Sequence, residues 1–354
     1  MTRHPHPAVW PRPGVSRPLL NPRAARRIGD PASAAFRSGG PHRTERTRVI
    51  KAAPGSLYRT VADVERWSAV FPSVVHVRSL ERTGRGERCE LWAWEDGGIT
   101  TWTGSQVADP ERLAIAFSWT SEQLTATVSG SWHFRGLPGE RTEVILRDRF
   151  RAGSGDPAGE DRIRRILDRR GHEQFDALVR IASLATAGAP SPVFSFTDSF
   201  PVTGTAVEHY DVMRRADLWA ERLPHVARST VTELLPGVDA LELDIIGAEG
   251  LARRTRSVRV CQDPAWIAHK ELVTTSPLVG HSSVWTFTEG LGGPLVTARH
   301  TVVVDPAAAA GTYGDDVPPD AVRAEVRATL RRTGLAVLGC APSPVRSPRT
   351  AKAS

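Results

Sequence analysis

The chain is short of several things at once. Its 354 residues include only three cysteines, three tyrosines, two methionines and three lysines (Lys51, Lys270 and Lys352). Cys89, Cys261 and Cys340 are too few and too widely spaced for a disulfide framework or a zinc site. Cys340, in a Pro/Ser-rich end, is expected to be exposed. No apolar run reaches the roughly 18 residues of a membrane-spanning helix. Pro5, Pro7, Pro11 and Pro13 break up the apolar core that a signal peptide needs. The expectation is a soluble cytoplasmic protein with no membrane partner. His209, His225, His269, His281 and His300 are scattered, without paired spacing on one element or a nearby cysteine or carboxylate cluster, so no metal is expected. A Gly-x-Ser-x-Gly elbow and a Gly-rich phosphate loop are both missing. Asp96-Gly-Gly98 and Gly290-Leu-Gly-Gly293 read as hairpin turns.

Base is in excess, by +7 overall, which ordinarily hints at nucleic acid. The excess lies at the ends. Residues 1–43 hold eight arginines and a single acid, Asp30, and residues 343–354 add Arg346, Arg349 and Lys352. Residues 44–342 keep 35 basic against 38 acidic groups, so the patterned core is slightly acidic and no nucleic-acid partner is expected. The eight prolines and sparse apolar pattern of residues 1–43 predict disorder, or a start assigned too far upstream; a nucleic-acid arm is the alternative. Residues 339–354 are likewise expected to be a disordered tail.

Between the ends the pattern is α+β. A short strand over Thr47–Ala52 precedes a helix opened by Pro54 and a second short helix from Trp67 to Phe71. Six strands follow, at Val74–Glu81, Arg88–Trp94, Ile99–Val107, Arg112–Trp119, Thr125–Phe134 and Thr142–Phe150. An amphipathic helix over Asp161–Ala187 closes the series. After a linker at 188–192 the order begins again, with a strand at Phe194–Val202, helix over Thr205–Leu223, strands to Asp305 and a helix over Pro319–Val337. Trp67 returns as Trp219, Asp109-Pro110 as Asp263-Pro264, and Trp132-His-Phe134 as Trp285-Thr-Phe287, all at nearly one offset. Such in-order repetition predicts a tandem of two units, 44–187 and 193–338, each a curved antiparallel sheet gripping a long C-terminal helix.

Eight of the ten tryptophans fall on these elements. Residues two apart on a strand share a face, so Trp92 and Trp94 point together, as do Thr100, Trp102, Gly104 and Gln106. Such indoles either fill a core or line a cavity for a flat, partly polar ligand. In the second unit Arg253, Thr255, Ser257 and Arg259 alternate on the corresponding face. An inward arginine there is a fixed cation able to stabilise an enolate. The opposite parity, with Arg254, Arg256 and Val258 inward, leaves these arginines solvated.

The stretch Asp63-Val-Glu-Arg-Trp67-Ser-Ala-Val-Phe71-Pro72 resembles the opening helices of START-like (SRPBCC, helix-grip) polyketide aromatase/cyclases. Val193-Phe-Ser-Phe-Thr-Asp198, Ala216-Asp-Leu-Trp219, Arg254-Thr-Arg-Ser257-Val-Arg259, Leu278-Val-Gly-His281-Ser and Thr297-Ala-Arg-His300-Thr-Val extend the likeness through the second unit. The chain thus resembles the didomain aromatase/cyclases of reducing type II polyketide pathways over about 44–338. The resemblance implies first-ring aldol closure, dehydration and aromatisation of a ketoreduced poly-β-ketone on an acyl carrier protein. The minimal polyketide synthase and a ketoreductase would be functional partners, and no metal or other cofactor is implied. The family's Trp-x-Ser-x-Arg strand is split here, since the first unit reads Trp102-Thr-Gly104-Ser-Gln106 and the second Thr255-Arg-Ser257-Val-Arg259. It therefore implies Arg259 and Ser257 as the catalytic pair, surrounded by Trp219, Trp285, His281 and His269. Trp67, Phe71, Trp92, Trp94, Trp102, Gln106 and Trp132 would contact substrate in the first unit. A non-catalytic binding or transfer protein, or a subunit that shapes the synthase complex, are the rival expectations.

Overall fold

The computed structural model describes residues 42–153, 157–185, 188–246, 250 and 252–339. The first half opens with β1 (His42–Lys51), α1 (Pro54–Ala62), a 3-10 turn (Val64–Arg66) and the short α2 (Trp67–Val70). Then come β2 (Val74–Thr83), β3 (Gly86–Glu95), β4 (Gly98–Asp109), β5 (Ala114–Ser121), β6 (Ala126–Leu137), β7 (Arg141–Ala152) and α3 (Pro157–Leu184). The second half repeats the order, with β8 (Val193–Pro201), α4 (Ala206–Arg214), a 3-10 turn (Ala216–Leu218) and α5 (Trp219–Arg222). It continues through β9 (Val226–Leu235), β10 (Val238–Ile246), β11 (Ala252–Gln262), β12 (Trp266–Glu271), β13 (Leu278–Gly290) and β14 (Gly293–Val304), ending with α6 (Pro306–Tyr313) and α7 (Pro319–Leu338).

Each half is one seven-stranded antiparallel sheet, ordered β1-β7-β6-β5-β4-β3-β2 and β8-β14-β13-β12-β11-β10-β9. The first strand of each half returns to pair with the last, which covers an edge that would otherwise offer bare N–H and C=O groups. Ile163, Ile166, Leu167, Phe175 and Leu178 form the buried stripe of α3, laid on the first sheet. On the other sheet Gly334 of α7 lets the Trp285 indole lie against the helix, where a Cβ would come within 2.7 Å of the ring. No helix among the described residues is long and apolar enough to cross a membrane.

Three expectations shift. His42 and Arg43, assigned to a disordered extension, lie in β1 opposite Phe150 and Arg149. The long helix starts at Pro157 and stops at Leu184, short of the expected Ala187. Helix α6 was not expected, although Asp305 caps it through Ala307 N and Ala308 N and Pro306 sets its first turn. The readings for residues 1–41 and 340–354, Cys340 included, fall outside the described residues.

The halves interlock along α2, β2 and the convex face of the second sheet. Lys270 Nζ donates to the carbonyls of Ser68 (2.8 Å), Phe71 (2.8 Å) and Val74 (2.7 Å). Burial, with the charge of Arg180, pushes its pKa down to about 7, while the three carbonyl oxygens favour the ammonium form. Arg180 of α3 donates across the junction to Val279 O and, within its own half, to Val70 O. Gly280 allows the closest approach, because a Cβ there would stand 2.2 Å from Ala69 O.

Candidate active site

The concave side of the first sheet is nearly filled. Its cavity, lined by Trp67, Trp119 and Trp132 among others, measures about 40 Å³, room for a few waters and not for a multi-ring ligand. Trp67 donates from Nε1 to Val61 O (2.9 Å) and meets Phe71 edge-on at 5.8 Å. Trp132 stacks on Phe134 and tilts against Phe175. Trp102 is fully buried, donating to Glu95 Oε2 at 3.1 Å under the Arg170 guanidinium, which also contacts Glu95. Gln106 donates from Nε2 to Ala62 O at 2.9 Å, at the end of α1. The face of Thr100, Trp102, Gly104 and Gln106 is inward, but Trp102 Nε1 and Gln106 Nε2 are both spent on internal hydrogen bonds.

Contrary to the expectation from the sequence pattern, Trp92 and Trp94 do not face the interior of the first half. Leu91, Ala93 and Glu95 take the inward positions of β3, so the two indoles sit on the opposite face, in the cluster of Val258, Val260 and Ala268 from the second half. Trp92 stacks with His76 at 5.6 Å and meets Trp266 at 6.2 Å.

In the second sheet the parity of β11 puts Ser257 and Arg259 inward, with Arg254 and Arg256 paired to Asp244 and Glu242. Arg259 is only 2 % exposed and is engaged on every side. Its Nε and Nη2 donate to the Asp239 carboxylate at 2.7 and 2.9 Å, Nη1 to Met213 O at 2.8 Å, and Nη2 also to Arg214 O at 3.2 Å. Ser257 Oγ donates to Leu241 O at 3.4 Å. The expected catalytic pair is therefore an anchor between sheet and α4: a guanidinium already bound to a carboxylate has little left for an oxyanion. Trp219 donates to Val212 O at 3.0 Å, repeating the role of Trp67.

Further along the same concave face, three strands bring together residues that the sequence scatters. His269 and Glu271 come from β12, His281, Ser283 and Trp285 from β13, and His300 from β14. The register sets Ser283 opposite both His269 and His300. His281 Nε2 lies 3.1 Å from His300 Nδ1 with the rings stacked at 5.4 Å. On its other side His281 Nδ1 stands 3.0 Å from Glu271 Oε1, close enough for an ion pair but bent away from strict hydrogen-bond geometry. His269 meets His281 edge-on at 6.3 Å. Phe196 stacks on His300, Trp285 meets it edge-on, and Trp285 Nε1 donates to Ser283 Oγ. The cluster is buried at His300 and reaches solvent through the partly exposed Glu271 and His269.

Electrostatics sort these groups. Burial, reinforced by His281 and His269, pushes the His300 pKa down to about 2, and burial takes His269 to about 4. Burial alone would raise the Glu271 carboxyl, but its contact with His281 outweighs that, and the net shift is downward. His300 is thus a neutral imidazole, and its Nε2 is buried without a partner. An unmet polar atom in a buried site stands ready to bond a ligand. Of this cluster, the sequence reading had singled out His269, His281 and Trp285 but neither Glu271 nor His300. The alternation 269/271, 281/283/285 and 298/300/302 on neighbouring strands was the available signal.

Comparison with known proteins places this architecture. Residues 50–169 match the family described as polyketide cyclase/dehydrase and lipid transport. The granaticin polyketide synthase bifunctional cyclase/dehydratase of Streptomyces violaceoruber is 44% identical over 301 residues, covering 84% of this chain and 92% of the relative. The actinorhodin polyketide synthase bifunctional cyclase/dehydratase of Streptomyces coelicolor is 36% identical over 313 residues, 84% and 95% of the two chains. Among solved structures, the di-domain ARO/CYC BexL from the BE-7585A biosynthetic pathway superposes with a TM-score of 0.71 at 31% identity, over 85% of this chain and 97% of its own. Two tandem sheets, each closed by a long helix, define a didomain helix-grip enzyme of the aromatase/cyclase class. The chain belongs to the bifunctional cyclase/dehydratases of polyketide synthases.

Proposed function

We propose that the second half performs the proton transfers of first-ring closure and dehydration through the row Glu271–His281–His300. The observation that carries this reading is the contact of His281 with Glu271 on one side and His300 on the other, ending at the unpartnered His300 Nε2. In the tautomer that serves as base, His281 holds a proton on Nδ1 toward Glu271 and its Nε2 accepts from His300 Nδ1–H. His300 Nε2 then carries a lone pair. As Nε2 removes a proton from a carbon between two carbonyls, the Nδ1 proton passes to His281 Nε2, and Glu271 stabilises the imidazolium. The carbanion forms the new C–C bond at a ketone carbon, and the alkoxide takes the proton back along the same row. A second turn removes another α-proton and returns one to the hydroxyl, which leaves as water. Protons balance, and nothing is oxidised or reduced. Orientation by the surrounding rings selects one aldol pairing among many.

The substrate in this reading is a ketoreduced poly-β-ketone on an acyl carrier protein, supplied in the cytoplasm by a minimal polyketide synthase and ketoreductase. Support comes from the pathways named in the relatives and from the rings and polar groups gathered around His300. The filled interior of the first half gives it the part of a scaffold that covers and braces the second. The tandem bounds, with β1 moved to His42, follow the repeated element order and the 188–192 connection. Reconstitution with the synthase and ketoreductase tests the assignment. His281→Ala and His300→Gln should each lower formation of the aromatised product about 10²–10⁴-fold, with the fold kept. Unchanged product from folded His281→Ala protein, or from a mixture lacking this chain, sinks the reading.

A further inference from the structure

We propose that the two halves enclose a second ligand site, separate from the histidine row, which takes a flat hydroxylated aromatic monoanion of two or three fused rings. Most of its lining lies on the other face of the second sheet, with His269 and Ser283 reaching its border. Ser282, Val284 and Thr286 alternate with the inward His281, Ser283 and Trp285 along β13, and they look toward β2 of the first half. The cavity between them measures about 440 Å³, within the range that holds small organic ligands.

Its walls specify the ligand. One side is aromatic, with Trp266 lying 5.2 Å from the His76 ring, which in turn stacks on Trp92. Such rings favour a flat π-system. Along the β13–β14 side, Ser282, Thr286, Thr297 and Thr301 supply hydroxyls that match phenolic or enolic oxygens. Two guanidiniums, Arg78 and Arg299, and one carboxylate, Glu65, border the cavity, so the lining residues carry one net positive charge, with Glu90 just outside beside Arg78. Burial holds His76 uncharged, with its pKa near 3. Arg299 is engaged by Glu65. Arg78 reaches Glu90 at 3.2 Å through Nη2 and lies over Trp266 at 5.8 Å, but its buried Nε has no partner. An orphaned guanidinium N–H beside an aromatic wall is where a carboxylate or phenolate on a stacked ring would bind.

This inference does not rest on the histidine row being catalytic, and its test separates the two. The probe is 3-hydroxy-2-naphthoate, measured by equilibrium dialysis on the full chain. Saturable binding is expected in the wild type. Arg78→Gln and Thr297→Trp, which remove the anion partner and fill the cavity, should each weaken it at least about tenfold, while His300→Gln leaves it unchanged. Neutral 2-naphthol should bind more weakly than the anion. Arg78 is partly exposed, so Arg78→Gln decides the matter even if Thr297→Trp does not fold. No saturable binding up to millimolar probe overturns the proposal, as does a loss seen in His300→Gln but not in Arg78→Gln.

Discussion

Gln106 and Arg259 hold the same station in the two sheets, and each donates to the final carbonyls of the helix that opens its half. Gln106 reaches Ala62 at the end of α1; Arg259 reaches Met213 and Arg214 at the end of α4. The arginine adds a forked bond to buried Asp239. Both side chains stand where a family likeness would put catalysis, and both fasten a helix to a sheet.

That equivalence sets two different stability costs. Gln106→Ala removes one neutral hydrogen bond and should cost about 1 kcal/mol. Arg259→Ala leaves the buried Asp239 with Arg214 alone and should cost about 3–5 kcal/mol. Urea midpoints measure both. Product per folded molecule should be unaltered in either variant, and a folded Arg259→Ala protein without turnover would return the arginine to catalysis.

Acid should unfold the protein early. His76, His269 and His300 have pKa values near 3, 4 and 2 in the folded chain, against about 6.5 when unfolded. Below pH 6.5 the unfolded chain binds more protons, so stability is complete above that pH and falls as pH drops toward 4. Each buried histidine contributes a slope of up to about 1.4 kcal/mol per pH unit. Melts at pH 7.5, 6 and 5 should show the decline, and His76→Leu should flatten it by about one proton. A flat profile over that range contradicts the neutral assignment.

Lys270→Met should uncouple the halves. It removes three charge-assisted bonds, from the carbonyls of Ser68, Phe71 and Val74; Phe71 O keeps the Val74 N–H, and each carbonyl left unmet costs about 1–3 kcal/mol. Scanning calorimetry should show one transition for the wild type and a broadened or split one for the variant, with the first half melting separately. An unchanged single peak would mean that the apolar contacts around Trp266 suffice.

Much of this architecture could be read from the chain. Strand-period alternation placed all six middle strands of the first half, and the recurrence of Trp67 as Trp219 exposed the tandem. Alternation set Ser257 and Arg259 on one face and left open which face is inward. It could not show that Asp239, twenty residues away on β10, had already claimed the guanidinium, because that contact depends on pairing register. The same limit hid His300 and Glu271, which meet His281 only once β12, β13 and β14 are aligned. Trp92 and Trp94 were put on the wrong face because alternation tells which residues share a side, not which side is concave.

Strand β12 is six residues long, and its neighbours in sequence serve opposite surfaces. His269 and Glu271 turn toward the histidine row, and Lys270 between them holds the other half of the molecule. A shift of one residue would carry the ammonium into the imidazoles and set a carboxylate against three carbonyl oxygens. The site and the junction are therefore written in a single reading frame. Length changes belong in the 263–265 turn before this strand, where the chain is exposed, and within the strand none can be absorbed.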